Sequence, residues 1–435
     1  MVIEEHARLE VTLPDGREFD IHEDDIIKDS LSTTSQCVNG NTFGFGCVSP
    51  AQLSVKFRLK SPDIGRYDVY GAKIILYSYF GSTPPDDGGK RGVFNVTSVT
   101  KNNNIFTVSA SDNVCWLDSS AFGGEGNEYG NKIYKRLNGD SLSGWNARDV
   151  FGVIVEDVAG KITEEMSGFR LSALFADDLT YERIPNAGAE FTGYGIPTNA
   201  HGAYYERHVV LLSGEQSDNI RDYVSWLTEY MGGFVVSDKD GKIEFRLFES
   251  PYYHKNPEIL DFSEFQQNTL EIAGFSIFLY SAKMITEDNY CNSFAFVKSD
   301  EKSVINVETE IKNNPFVEFC YEYSVKNNKG SLYNLVAPLE YYQHWIQIRP
   351  FSGTYHGNKY LHLGQYIKIR DENGTEHETT ITNITWKFRG GQQIKCVGED
   401  SRTLSQARKR TQAVRMGERM KTQINRLRER LENGG

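Results

Sequence analysis

Leu53-Ser54-Val55-Lys56-Phe57-Arg58-Leu59 alternates apolar and polar side chains without interruption. Side chains of an extended strand point alternately to its two faces, so a period of two places one face inward and the other towards solvent. The same period runs through residues 9–13 and 105–108. These stretches predict β-strands, and their spacing over the first 110 residues favours a barrel or a sandwich.

Glycine-containing turns separate the predicted strands. Glycine adopts the positive φ angles that tight hairpins require, so each such dipeptide predicts a turn. The turns lie at Asp15-Gly16, Asn39-Gly40, Asp240-Gly241 and Asn373-Gly374.

Length and composition indicate a β-rich protein of several domains. The chain has 435 residues, more than one hydrophobic core usually serves, and 12% of them are aromatic, which favours strands. No apolar run is long enough for a membrane span, and no signal peptide opens the chain. The six cysteines lie far apart without a Cys-x-x-Cys pair, so we expect them to be reduced and buried.

Charge is distributed unevenly. The net charge is −12, yet residues 402–435 contain ten Lys or Arg and three Asp or Glu. An acidic body argues against a protein that grips nucleic acid through its phosphates. It is compatible with a channel through which DNA slides without specific binding.

A short sequence motif occurs twice in the middle of the chain. Asn146-x-Arg148-Asp149 recurs 73 residues later as Asn219-x-Arg221-Asp222, and both copies continue with apolar residues at helical spacing and end on glycine. Each copy predicts a short amphipathic helix, and a hairpin over residues 234–246 follows the second. We therefore predict an α+β domain over residues 141–250, after a glycine-rich linker over 121–140.

The strand pattern returns over residues 268–400, which we assign to a second β domain over residues 251–400. A helix is predicted near residues 332–342, inside a small α+β insertion near 313–355, and the region ends in a hairpin between 366–370 and 380–386. Residues 401–435 predict a basic helix. Its near-heptad apolar positions suit either a short coiled coil at an oligomer axis or a single helix that docks on its own protomer. The candidate oligomer contacts are Met420, Ile424, Leu427 and Leu431.

No motif for catalysis, a cofactor or a metal stands out. His22-Glu23-Asp24-Asp25 reads as a solvated turn, and His201 and His208 lack the spacing of a zinc helix. The sequence contains no Gly-x-Ser-x-Gly elbow. We therefore predict no catalytic, cofactor-binding or metal-binding residue, although a pair of carboxylates that meet only in the folded chain stays open.

Several motifs, in order, resemble one known family. They are Ile26-Ile27-Lys28-Asp29-Ser30-Leu31-Ser32, Phe43-Gly44-Phe45-Gly46, Ala51-Gln52-Leu53-Ser54, Asn313-Asn314-Pro315-Phe316, Ile348-Arg349-Pro350-Phe351-Ser352-Gly353 and Leu361-His362-Leu363-Gly364-Gln365. Together they resemble the tail hub or tail-associated proteins of phages and prophages of Gram-positive bacteria. Gln365 departs from the pattern, because an Asp is common there.

The resemblance implies a mainly β fold with an α+β insert. Two tube-like β-barrels are expected, over residues 1–120 and 251–400, so that a homotrimer presents six near-equivalent barrels around a DNA channel. Such a hub adapts a hexameric tail tube to a threefold tip in the virion tail, after assembly in the host bacterial cytoplasm. The implied partners are a distal tail or tail tube protein, the tape-measure protein and a tip, fibre or spike protein.

Two other functions stay open at this point. One is a cell-wall-degrading tail enzyme, and the other is a carbohydrate-binding β module suggested by the many aromatic residues.

Overall fold

A computed structural model gives the structure of much of the chain. It describes residues 4–40, 43–59, 63–118, 145–146, 208–209, 221, 224–225, 228–229, 233–246, 248–249, 256–274, 276–287, 290–300, 303–311, 346–357 and 360–398.

The described residues up to Asp118 form eight strands, a short helix and a terminal 3-10 turn. The strands are β1 (Glu5–Thr12), β2 (Glu18–His22), β3 (Ser32–Gln36), β4 (Cys47–Val48), β5 (Gln52–Arg58), β6 (Lys73–Phe80), β7 (Lys90–Asn102) and β8 (Ile105–Asp112). Helix α1 spans Arg66–Val69, and the 3-10 turn spans Asn113–Asp118.

The rest of the described chain is also mainly strand. Its strands are β9 (Trp145–Asn146), β10 (His208–Val209), β11 (Phe234–Ser237), β12 (Ile243–Arg246), β13 (Glu258–Asp261), β14 (Thr269–Ile272), β15 (Ile277–Glu287), β16 (Tyr290–Asp300), β17 (Ser303–Ile311), β18 (Ile346–Ile348), β19 (Phe351–Tyr355), β20 (Tyr366–Arg370), β21 (Glu376–Thr380), β22 (Asn383–Lys387) and β23 (Gly391–Cys396).

The largest sheet joins both ends of the chain. Its eleven strands follow the order β14-β19-β23-β22-β3-β5-β8-β7-β6-β1-β2, and every pairing in it is antiparallel. Smaller sheets have the orders β12-β11-β4, β13-β20-β21, β17-β16-β15-β18 and β10-β9. The prediction of a mainly β protein is confirmed.

The main core lies between strands that alternate buried and exposed residues. Val55 and Phe57 of β5 face Val108 and Phe106 of β8, and all four side chains are fully buried. Burying an apolar side chain of this size stabilises the fold by roughly 1.5–3 kcal/mol. The period of two seen in the sequence therefore marks the inward face of this sheet.

The hairpins predicted at Asp15-Gly16, Asp240-Gly241 and Asn373-Gly374 form, but only the glycine of each turn has a positive φ. The hairpin predicted at Asn39-Gly40 does not form, because β3 pairs with β5 and β22 while β4 pairs with β11. Gly16, Gly241 and Gly374 have φ values of 86°, 85° and 78°. Each of these glycines donates its N–H to the carbonyl oxygen three residues earlier, at Leu13, Asp238 and Asp371. This is a three-residue turn with a bulge at the glycine, not a two-residue turn with two positive φ angles.

The segment 380–386, predicted as one strand of the last hairpin, divides at Ile381 and Thr382. Strand β21, before this point, pairs with β20. Strand β22, after it, pairs with β23 and β3 in the eleven-stranded sheet. At this point Ile381 still exchanges backbone hydrogen bonds with Gly364 and Gln365, before β20, whereas the Thr382 amide already donates to Lys395 of β23.

The middle region is described only in part. Trp145–Asn146, where the first predicted helix begins, pairs with His208–Val209 as a two-residue strand. The second predicted helix is helical at Arg221, at residues 224–225 and at residues 228–229. The linker over 121–140, the helix near 332–342 and the C-terminal helix over 401–435 lie outside the described residues. Within the described chain, no helix combines the length and apolarity needed to cross a bilayer.

Four cysteine side chains are described, and all four are free thiols. Cys37, Cys47 and Cys396 are buried and Cys115 is half-buried, as the sequence predicted for reduced thiols. Burial raises the pKa of the Cys47 thiol to about 12.

Two sets of strands share one order. Set one is β3-β5-β8-β7-β6. Set two is β14-β19-β23-β22, continued by β21 and β20. The long strand β7 pairs with β6 by its first half and with β8 by its second half, and in set two these roles fall to β21 and β22. Each set also has a flanking strand, which is antiparallel in set one (β1) and parallel in set two (β13).

Candidate functional site: the joint between the two strand sets

Strands β3 and β22 join the two sets edge to edge. Ser32 lies opposite Lys387, and Thr34 lies opposite Thr385, whose hydroxyl oxygen is 3.3 Å from that of Thr34. The Phe388 amide donates to the Leu31 carbonyl oxygen at 3.0 Å, which continues the ladder beyond β22. Each set thereby covers one strand edge of the other, and an edge left open invites pairing with another chain.

Two aromatic residues of set two complete the core of set one. The Trp386 and Phe388 side chains are 3% and 8% exposed, and both pack in the cluster that contains Leu9, Val55 and Phe106. A buried aromatic side chain typically contributes about 3–5 kcal/mol against its replacement by alanine. The first strands of the chain are therefore packed by residues close to its other end.

A buried carboxylate fixes the position of Trp386. The Trp386 indole N–H donates to Glu5 Oε1 at 2.8 Å, and the Arg389 amide donates to Glu5 Oε2 at 2.6 Å. The Ser78 hydroxyl donates to the same Oε1 at 3.3 Å. Glu5 is 5% exposed, and a carboxylate buried to this degree requires such donors.

An outer ion-pair cluster lies beside this buried one. Arg389 Nη2 is 3.1 Å from Glu23 Oε2, and His6 Nδ1 is 3.3 Å from the same oxygen. Arg389 has φ of 57°, which allows its amide and its side chain to contact Glu5 and Glu23 together. Exposed pairs of this kind contribute about 0–1 kcal/mol, so the cluster orients the turn more than it stabilises it.

A cavity of about 230 Å³ opens at the joint. Arg91 lines it, and the Arg91 guanidinium carbon lies 4.5 Å from the centre of the Tyr360 ring and 5.4 Å from that of Trp386. Burial lowers the pKa of the Arg91 guanidinium. Asp112 also lines the cavity, and burial raises the pKa of its carboxyl to about 7.

Backbone hydrogen bonds repeat residue by residue between the two sets. The Gly71 amide donates to the Val96 carbonyl oxygen, and the Val96 amide donates to that of Ala72. In set two, Gly364 and Gln365 make the same two bonds with Ile381. Gly71 and Gly364 also share a positive φ, at 77° and 78°.

Side-chain hydrogen bonds repeat in the same register. The Thr97 hydroxyl donates to the Ser109 carbonyl oxygen at 3.2 Å, and the Thr382 hydroxyl donates to that of Lys395 at 3.1 Å. The next paired strands repeat a third bond. There the Lys56 amide donates to the Ser30 hydroxyl at 3.1 Å, and the Thr354 amide donates to the Thr269 hydroxyl at 3.2 Å.

These bonds define an equivalence between the sets. Val96 corresponds to Ile381, Thr97 to Thr382, Lys56 to Thr354, and Ser30 to Thr269. The match extends through β5 with β19, β8 with β23, and the second half of β7 with β22. The two sets are thus alike in strand order, in register and in specific hydrogen bonds.

Comparison with known proteins gives matches among solved structures alone. No family model and no curated protein matches the chain. The 43 kDa tail protein of prophage MuSo2 from Shewanella oneidensis is 11% identical, with 90% of this chain and 98% of that chain covered and a TM-score of 0.44. A tail protein from Neisseria meningitidis MC58 is 9% identical, with coverages of 91% and 97% and a TM-score of 0.44.

A third match is the prophage tail protein gp18 from Listeria monocytogenes EGD-e. It is 10% identical, with 94% of this chain and 99% of that chain covered and a TM-score of 0.37. All three TM-scores are below 0.5, so these likenesses by themselves do not establish a common fold.

The predicted oligomer contacts fall on residues that the structure does not describe. Met420, Ile424, Leu427 and Leu431 lie outside the described residues. In the part that the structure describes, no group of three His, Cys, Asp or Glu side chains is placed to hold a metal, and Glu23 of the His22–Asp25 turn pairs with Arg389.

The residues that build the joint were missed by sequence reasoning. Glu5 had one usable signal, because it occupies an inward position in the alternation of β1, where Ala7, Leu9 and Val11 are also buried. An ionisable residue in such a position predicts a buried, hydrogen-bonded carboxylate. Trp386 and Arg389 gave no signal that would connect them to residues nearly 400 positions away.

Proposed function

We propose that this chain is a structural, non-enzymatic subunit of the tail of a phage, prophage or phage-tail-like particle. Three copies form a ring-shaped hub at the tail tip or baseplate. The observation that carries the proposal is the repeated hydrogen-bond pattern of the two strand sets, which are joined edge to edge by β3 and β22.

Two equivalent sets per chain allow three chains to present six similar units. A ring of three such chains matches a sixfold tube on one side and a threefold tip on the other, which is the role of a symmetry adaptor. Each set closes into a tube-like barrel in this proposal. The ordered sequence motifs of tail hub proteins support the same assignment.

The proposed ring surrounds the channel through which DNA is ejected. Outside the basic residues 402–435 the chain is acidic, and an acidic channel wall repels phosphates and lets DNA pass without specific binding. The proposed neighbours are a distal tail or tail tube protein, the tape-measure protein and a tip, fibre or spike protein. The protein resides in the virion tail after assembly in the bacterial cytoplasm.

Mass measurement by light scattering tests the trimer. We expect a species of three times the chain mass of 49.3 kDa, at least at high protein concentration. A strictly monomeric species across the whole concentration range would contradict the proposal.

The C-terminal helix has a separate test. If its apolar seam contributes to the trimer, Ile424→Asp places an unpaired charge at the threefold axis and shifts the mass towards the monomer. Arg426→Asp, one position off the predicted seam, is the matched control and should leave the mass unchanged. An unchanged mass for Ile424→Asp would remove the helix from the interface.

A further inference from the structure

We propose that the joint between β3 and β22 recurs between neighbouring copies of the chain, where β14 of one protomer pairs antiparallel with residues 99–102 of β7 in the next. This inference rests on the proposed trimeric ring and names the strands, and the register, that close it.

The equivalence of the two sets dictates the pairing. Strand β3 of set one corresponds to β14 of set two, because Ser30 and Thr269 accept the same bond from Lys56 and Thr354. Strand β22 corresponds to the second half of β7, because Thr382 and Thr97 make the same bond. The two sets are therefore joined within the chain through one of two equivalent pairs of edges. The other pair is β14 and β7.

The register follows from the same equivalence. Ser32 corresponds to Glu271 and Lys387 to Asn102, so the observed pair of Ser32 with Lys387 predicts Glu271 opposite Asn102. In the same way, the pair of Thr34 with Thr385 predicts Ala273 opposite Thr100.

Both edges are open in the described part of the chain. There, β14 pairs with β19 alone, and residues 98–102 of β7 pair with β8 alone. Glu271, Asn102 and Thr100 are exposed.

Seven strand positions separate β14 from β7 in the eleven-stranded order. A disulfide needs Cα atoms within about 7 Å. A non-reducing gel shows which chains such a disulfide joins, because a disulfide between two copies gives a band of at least twice the chain mass and a disulfide within one chain leaves the monomer band.

Cysteine pairs in the full-length chain test the joint. Glu271→Cys with Asn102→Cys, and separately Ala273→Cys with Thr100→Cys, are expected to form intermolecular disulfides under mild oxidation. Because the ring closes after three copies, the covalent ladder on a non-reducing gel should end at the trimer. Glu271→Cys with Ser98→Cys is four residues out of register and should not cross-link.

Two further samples serve as the positive control and the background control of the cross-linking experiment. Ser32→Cys with Lys387→Cys reproduces the observed joint within one chain and should give an intramolecular disulfide. The unsubstituted chain shows what its six native cysteines form under the same oxidation.

The outcomes separate this inference from the proposed function. Cross-links in the predicted register, absent out of register, support the joint. A trimeric mass without in-register cross-links would overturn the joint and leave the trimer in place. A monomeric mass without cross-links would overturn both. A ladder that continues beyond the trimer would overturn the closed ring and place the same joint in an open filament.

Discussion

Asp112 is a buried carboxyl group whose protonation affects stability. Burial raises its pKa from the ordinary value of 3.8 to about 7, although the Ala51 and Val114 amides donate to it. Between these two pH values the folded chain binds a proton that the unfolded chain has lost. The free energy of unfolding contributed by this group therefore falls as the pH rises from about 4 to about 7 and stays level above that.

Asp112→Asn should remove this dependence, because an amide is neutral throughout and keeps the acceptor for Val114. We expect the drop in the free energy of unfolding between pH 5 and pH 8 to be smaller in the variant by at least about 1 kcal/mol. Urea titrations at the two pH values measure it, with the exposed Asp63→Asn as the control. An equal drop in the variant and the unsubstituted chain would show that Asp112 does not titrate in this range.

The equivalent threonines Thr97 and Thr382 form a matched pair in different surroundings. Thr382 is fully buried, and its hydroxyl also accepts from the Val397 amide at 2.9 Å, whereas Thr97 is exposed. Thr382→Val leaves the half-buried Val397 amide without its acceptor and should destabilise the fold by about 1–3 kcal/mol. Thr97→Val should change the free energy of unfolding by less than about 0.5 kcal/mol. Equal effects in denaturant titrations would contradict this difference in burial.

At the scale of elements, the hairpin of β11 and β12 docks onto the main sheet through its turn. The Asn113 side-chain amide donates to the Gly241 carbonyl oxygen at 2.6 Å, and Lys90 pairs with Asp240 at 2.9 Å. Gly241 has φ of 85°, and a Cβ atom there would lie 2.6 Å from the Asn113 amide nitrogen. The turn is therefore restricted by its own conformation and by its neighbour.

Gly241→Ala should cost more than Gly16→Ala, although both glycines have nearly the same φ. No atom lies within 4 Å of a Cβ built at Gly16, so Gly16→Ala is destabilised only by the left-handed backbone conformation, by about 1–2 kcal/mol. Gly241→Ala adds the contact with Asn113. Thermal unfolding of the two variants compares them directly, and an equal loss of Tm would show that the turn does not dock as described.

Sequence periodicity predicted strands well where one face is buried. Strand β5 and its alternating residues follow directly from the pattern of residues 53–59. The break after Thr380 was not predictable, because a continuous run of strand-forming residues does not reveal that Ile381 bonds to Gly364. The sequence also does not show that β22 pairs with strands of the eleven-stranded sheet instead of extending the hairpin of β20 and β21.

At the scale of the whole molecule, long-range contacts escaped prediction. The hydrogen bond between the Trp386 indole and the Glu5 carboxylate connects the two ends of the chain. Neither residue type, taken alone in the sequence, indicates that the other is its partner. The likeness of the two strand sets was equally hidden, because equivalent positions such as Lys56 and Thr354 differ in residue type and share only a backbone bond. The resemblance to tail hub proteins implied two barrels, which stay a prediction, whereas the sequence shows no internal repeat that would reveal the likeness of the two strand sets.

A low-resolution reconstruction of the assembled oligomer tests the proposed trimeric ring. We expect three chains around a hollow axis, with six lobes of similar size and nearly equal spacing, two from each chain. A ring with three lobes, or six lobes that fall into two unlike shapes, would contradict it.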